Sequence, residues 1–294
     1  MIKQFFLFAL AMVFSASLAG AAGLPNSITG RDGEEMMLIP AGIFTMGSPD
    51  YVEGKFGFKP HKVYTDAFYM DKYEVTNGQF ARFLNHLAAT GHKKDIWDFV
   101  VTRSDLQTAD RKDWWPTEII LEGGNYKPFP SFERYPVISV SWFAAYDYCK
   151  WAGERLPTEA EWEKAARGGL EGKIYPWGNE IPTGGVIFSR SWTDNSVPAP
   201  VEQVGNYFPN GYGLYDMAGN VWEFCSDWYD ENYYEHSPQN NPKGPEKGQL
   251  KVARGGSWYN SALFLRVDYR NTADPYATDD AVGFRCAKDA GENK

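Results

Sequence analysis

Apolar positions fall into short, interrupted patterns along the chain. Residues 36–40 open with Met36, Met37, Leu38 and Ile39 and stop at Pro40, which predicts a strand. Ala41-Gly42 reads as a turn, and the alternation over 43–47 predicts a returning strand. Residues 61–70 predict a further strand. Three helices follow. The first opens at Thr76-Asn77-Gly78-Gln79, a capping-box pattern, carries Phe80, Phe83, Leu84 and Leu87 on one face, and meets a stop at Gly91. The second spans 141–152, with Trp142, Ala145, Tyr146 and Cys149 facing the core and Gly153 at its end. The third opens with Thr158-Glu159-Ala160-Glu161, buries Trp162, Ala165 and Ala166, and ends at Gly168-Gly169. Beyond Gly169 no helical period is evident.

The composition explains why so little of the chain is periodic. Of 294 residues, 43% are hydrophobic, and aromatic side chains alone make up 16%. The core must therefore be assembled from rings and few long aliphatic runs. The 29 glycines and 18 prolines favour turns over long helices. The expectation is a compact, loop-rich single domain of the α+β class with small antiparallel sheets. Residues 93–134 are charged, rich in Trp and weakly periodic, and read as a surface insertion. No solenoid repeat is present.

The N-terminus carries a different signal. Lys3 precedes an apolar run from Phe5 to Phe14, and Ala19-Gly20-Ala21 has the small-x-small pattern of a signal-peptidase site. Residues 1–21 are expected to be a signal peptide, with Ala22 the mature N-terminus and a periplasmic or secreted destination. The run is shorter than the ~20 residues a spanning helix needs, so no membrane span is expected. The formal net charge of −9 excludes the basic footprint of a nucleic-acid binder. The three cysteines, Cys149, Cys225 and Cys286, form no CxxC. An oxidising compartment permits one disulfide and leaves one thiol over. No two of the four histidines sit at i, i+4, which disfavours a His-based zinc or iron site.

Eight ordered blocks then give the chain a resemblance. They are Ile39-Pro40-Ala41-Gly42-Ile43-Phe44-Thr45-Met46-Gly47-Ser48, Glu74-Val75-Thr76-Asn77, Pro136-Val137-Ile138-Ser139-Val140-Ser141-Trp142, Arg155-Leu156-Pro157-Thr158-Glu159-Ala160-Glu161-Trp162-Glu163, Pro176-Trp177-Gly178-Asn179, the stretch from Asn210-Gly211-Tyr212 to Val221-Trp222-Glu223, Arg254-Gly255-Gly256-Ser257, and Gly283-Phe284-Arg285-Cys286. In this order they resemble the formylglycine-generating enzyme, or sulfatase-modifying factor, family. The resemblance covers about residues 34–288, leaving 22–33 as an N-terminal linker and 289–294 as a C-terminal tail. It implies that family's fold, which is related to C-type lectins. It also implies a disulfide between Cys149 and Cys286, leaving Cys225 free.

Family enzymes oxidise a substrate cysteine to formylglycine through Cu(I) held by two thiolates. Matched residue by residue, those thiols fall at Asn260 and Leu265. Neither offers a soft donor, so copper is not expected. Trp222 and Ser257 match positions that line the family's cleft. Arg266, Tyr269 and Arg270 follow on the same segment and are expected to face the same groove, which would suit a peptide, carboxylate or sugar. The resemblance also implies a structural Ca²⁺ held by the side chains of Asp216 and Glu223 and the carbonyls of Gly219 and Val221. Two carboxylates supply charge, and Gly219 permits the tight turn. A second family calcium site is not expected, because Gly185-Val186-Ile187 stands where an Asn-led strand would be needed.

These features favour a non-copper accessory member that binds an exported protein, peptide or small molecule. The alternative is an enzyme acting on a protein or peptide substrate, with a sulfatase-maturation-type oxidation or a related modification. In the formylglycine-generating version of that alternative, Cys225 is the sole thiol left to stand in.

Overall fold

The computed structural model describes residues 23–52, 57–91, 117–191 and 201–291. The signal peptide expected at 1–21 and most of the 93–134 segment lie outside the described residues.

Two four-stranded sheets organise the molecule. The first takes its strands from both ends of the described chain, in the order β1 (Ser27–Thr29), β2 (Glu35–Ile39), β5 (Phe68–Asp71) and β12 (Ala287–Asp289), all antiparallel. The second runs β10 (Asn271–Ala273), β9 (Lys251–Arg254), β8 (Trp222–Trp228) and β11 (Val282–Gly283), with β11 parallel to β8. Two hairpins stand apart, β3 (Gly42–Met46) with β4 (His61–Thr65), and β6 (Ile119–Glu122) with β7 (Asn125–Pro128). These elements match the expected α+β class with small antiparallel sheets. Strand β1 lies within residues 22–33, and β12 reaches Asp289.

Local chemistry sets the helix ends. In α1 (Asn77–Ala89) the Thr76 hydroxyl accepts from Gln79 N at 3.3 Å, and Gln79 Oε1 accepts from Thr76 N at 2.8 Å, so two otherwise orphaned N–H groups are satisfied reciprocally. In α2 (Trp142–Ala152) Ser141 accepts from Ala144 N, and Gly153 closes the helix in the left-handed conformation at φ 76°. In α3 (Glu159–Arg167) Thr158 and Glu161 form a second capping box. A four-residue helix, α4 (Tyr233–His236), and a 3₁₀ turn at Ala262–Leu265 complete the inventory among the described residues.

The structure corrects four expectations. The strand at 42–46 does not return along β2: β2 pairs with β1 and β5, and β3 pairs with β4. Residues 61–70 form two strands in different sheets, because the chain breaks at Asp66-Ala67. Tyr146 is 38% exposed, and Tyr148 takes the buried position instead. The end of the 93–134 segment is no surface insertion: Ile119, Tyr126 and Phe132 are buried in the main core, and β7 packs on α1.

Rings hold that core together. Phe80 stacks on Tyr148 at 5.7 Å between centroids, and Phe83 and Phe284 meet the same tyrosine edge-on. Such pairs add about 0.5–1.5 kcal/mol each beyond their buried area. Cys149, on the buried face of α2, is bonded to Cys286, just before β12, and the bridge closes a separation of 137 residues. The expected pairing is therefore present, and Cys225 is free and buried. No described helix is long and apolar enough to cross a membrane.

Candidate functional site

The segment after β9 carries the residues matched to the family's reactive positions. Gly255 and Gly256 adopt φ of 101° and 75°. A Cβ on Gly256 would lie 2.9 Å from Leu265 Cδ1 and from Phe264 O, so only glycine lets the following turn fold back this tightly. That turn is closed by Asn260. Its Oδ1 accepts from Ser257 N at 2.9 Å and from Ser257 Oγ at 2.7 Å, while Asn260 N donates to Ser257 O. The Asn260 carbonyl is engaged by Ser189 N. Ser257 is fully buried and Asn260 nearly so. Leu265 is fully buried against Tyr175 and Ala218.

The remaining cleft candidates are equally enclosed. Trp222 is buried, edge-on to Phe264 and tilted against Tyr269. Arg266 forms two hydrogen bonds with Asp50, at 3.0 and 2.5 Å, and two with Asp268. Arg270 holds both Glu159 oxygens, at 2.7 and 2.9 Å, and lies 4.3 Å over the Tyr234 ring. The expected arginine-lined groove is thus not formed. Both guanidiniums are turned inward and matched by carboxylates, and neither presents a free fork to a ligand. Cys225 is fully buried in a second core around Trp162 and Val252. Burial, with Asp227 and Glu159 nearby, pushes its thiol well above the usual range, which opposes the thiolate that would bind a soft metal. The residues present do not fit a copper centre.

The surface next to Leu265 is open. Trp177, stacked on Tyr175 at 5.1 Å, is 43% exposed, and Phe208 is 92% exposed. Between them lies a shallow depression lined by Pro176, Val186, Tyr207, Met217 and Asp216. Sequence reasoning missed this shelf, although Trp177 belongs to one of the motif blocks.

The loop 216–223 is built around positive φ values at Asp216, Gly219 and Asn220. A Cβ on Gly219 would fall 2.2 Å from Ile187 O, so the backbone approach tolerates no side chain. Asp216 Oδ2 accepts from Gly205 N at 2.7 Å. Burial pushes its carboxyl up to about 6. Glu223 is already engaged on both oxygens, by Arg285 and by Trp162 Nε1. Glu74, absent from the sequence-level candidates, also joins this group. Asn220 Nδ2 donates to its Oε2 at 2.7 Å, while its Oε1 is buried with no partner. Burial, together with Asp216 and Glu223, holds Glu74 well above the usual carboxylate range. An orphaned carboxylate oxygen in a cluster of three acids and one arginine suits a cation. The acids supply the hard oxygens that calcium takes, but their ligand atoms do not converge into a formed site and Glu223 is committed to Arg285.

Comparison with known proteins places this geometry. Residues 22–290 match the sulfatase-modifying factor enzyme 1-like domain. The chain is 37% identical to the formylglycine-generating enzyme of Streptomyces coelicolor, over 94% of each chain. It is 33% identical to the inactive C-alpha-formylglycine-generating enzyme 2 of Bos taurus, over 87% of this chain and 88% of that one. Among solved structures, PvdO from Pseudomonas aeruginosa superposes with a TM-score of 0.68 at 27% identity, covering 90% of this chain and 98% of the other. The match along nearly the whole described length means that this chain belongs to the sulfatase-modifying factor, or formylglycine-generating enzyme, family.

Proposed function

We propose that this protein is an exported, non-copper member of the family that binds a protein or peptide partner. One observation carries the reading. At the two positions matched to thiols, Asn260 is the cap of its own turn and Leu265 is sealed in the core. A reactive pair of soft ligands has become a hydrogen-bonded turn and an apolar plug, and the remaining thiol, Cys225, is buried elsewhere. The exposed Trp177 and Phe208, on either side of the depression beside Asp216 and Met217, supply apolar contact surface of the kind that anchors peptide side chains. Export is supported by the signal pattern at 1–21 and by the disulfide, a bond that persists in oxidising compartments. In this reading Asp216 and Glu223, with the carbonyls of Gly219 and Val221, hold a structural Ca²⁺ whose charge balances Glu74.

The whole-length likeness to formylglycine-generating enzymes supports a second reading, an enzyme on a protein or peptide substrate. One experiment separates the two. Purified protein is incubated with copper, oxygen, reductant and a Cys-x-Pro-x-Arg peptide, and the products are weighed. The binding reading expects no formylglycine above a no-protein control, together with co-purification of an exported partner that is lost in Trp177→Ala/Phe208→Ala. Time-dependent formylglycine would overturn it.

A further inference from the structure

A second acidic cluster lies away from the 216–223 loop, under the disulfide. One carboxylate oxygen each of Asp71 and Glu154 lies within 4.8 Å of the other and of Cys286 Sγ. Among the described residues no other three His, Cys, Asp or Glu groups converge this closely. Asp71 is fully buried and Glu154 is 8% exposed. Asp71 Oδ2 accepts from Cys286 N at 2.8 Å, but Asp71 Oδ1 and both Glu154 oxygens have no hydrogen-bond partner. Three unpartnered carboxyl oxygens on two buried, converging acids are costly unless a cation or proton lies between the acids.

A third carboxylate faces the same space. A Cβ on Gly30 would lie 2.5 Å from Glu154 Oε1 and 3.0 Å from Asp32 Oδ1, so the bare Gly30 backbone forms one wall of the cluster. Asp32 takes hydrogen bonds from Tyr148 Oη at 2.6 Å, Gln79 Nε2 and Glu34 N, all of them neutral donors. Arg82 donates to the carbonyls of Gly78 and Asp32 and not to the carboxylate. Lys288 is the basic neighbour whose charge acts on Glu154.

We propose that a hard divalent cation of the Ca²⁺ class binds among Asp71, Glu154 and Asp32, beneath the Cys149–Cys286 bridge. The donor set decides the class. It contains only carboxylate oxygens, and the nearby sulfurs are spent on each other, which selects calcium over a soft or borderline metal. The ion pins together the turn before β2, the end of β5, the C-terminal end of α2 and the segment before β12. Without it, burial pushes Glu154 up to about 8 and Asp71 well above the usual range, so both acids resist ionisation.

The test uses terbium as the calcium probe, since Tyr148 on Asp32 is placed to sensitise it. The background is Asp216→Ala, which removes the other proposed ion. Tyrosine-excited terbium emission should persist in that background, be competed by calcium, and fall about tenfold on adding Glu154→Gln. Calcium bound per chain, by dialysis and elemental analysis, should drop by one equivalent with Glu154→Gln. Glu154→Lys puts an ammonium where the ion would sit. It should fold, bind one ion fewer, and melt independently of calcium in that background. Equal calcium content in the wild type and Glu154→Gln would overturn the proposal. So would a Glu154→Gln protein that melts above the wild type with and without calcium, the mark of two acids sharing a proton.

Discussion

Arg285 grips Glu223 side-on: Nε reaches Oε2 at 2.7 Å and Nη2 reaches Oε1 at 2.8 Å, with neither side chain more than 1% exposed. Arg285 also donates to the carbonyls of Asp71, Lys72 and Tyr215, so one guanidinium gathers three stretches of chain, at 71–72, 215 and 223. Replacing Glu223 with Gln leaves that cation buried without its counter-charge. The expected loss is about 3–5 kcal/mol of unfolding free energy, read as a lower denaturant midpoint. A midpoint unchanged from the wild type would show that the pair contributes nothing.

The disulfide closes a long loop, so its entropic contribution is large. Cys149→Ser/Cys286→Ser is expected to lose on the order of 4–5 kcal/mol by equilibrium unfolding. Cys225→Ala should cost much less, the loss of one buried sulfur, because that thiol is in no disulfide. The opposite ranking would contradict the pairing.

Asp227 gives the fold a pH dependence. It is buried beneath the start of α3, where its Oδ2 accepts from Glu159 N at 2.9 Å and from Ser226 Oγ. Burial, then the charge of Glu159, pushes its carboxyl from 3.8 up to about 7, with Glu161 adding a smaller push and Lys251 facing it. A raised folded-state value means that the favourable contribution is full below about pH 4 and is lost as pH rises to about 7. Asp227→Asn should remove from that window a stability slope approaching about 1.4 kcal/mol per pH unit. Stability measured from pH 4 to 7 with identical slopes in both proteins would refute the assignment.

Gly219→Ala should destabilise the protein by at least about 2 kcal/mol, since the new methyl meets a backbone carbonyl that cannot move aside and sits at φ 82°. Gly172→Ala is the control: it shares a positive φ of 63° but faces open space, so its cost should be limited to backbone strain. Equal losses would show that the close approach to Ile187 is unimportant.

The calcium loop makes its own prediction. Chelation should lower the melting temperature of the wild type, and Asp216→Ala should shrink that drop. A melting curve unmoved by chelator would remove calcium from both proposed sites.

What could be read from residues alone was local. Thr76, Ser141 and Thr158 announced their helices because a cap is decided within three residues, and Gly153 and Gly168 announced the ends for the same reason. The motif order revealed the family, and with it the Cys149–Cys286 bridge. Partners far apart in sequence were not legible. Arg266 looked like a groove residue because nothing nearby in the chain announces Asp50, 216 positions away. Glu74 and Asp71 stood in or beside a recognised block, but their meaning lies in Asn220, Glu154 and Cys286, which only the folded chain brings to them.

The first sheet has its two edges at β1 and β12, which come from opposite ends of the chain. A polypeptide emerging N-terminus first can present β2 and β5 to each other early, but the free edge of β5 stays open until residue 289 arrives. The disulfide shares this dependence, since Cys286 comes only three residues earlier. The sheet therefore cannot close until the chain is available through residue 289, and until then β5 keeps an unpaired strand edge. On the export route proposed above, this timing would be a safeguard, because a domain that cannot lock early stays open until its last edge strand arrives.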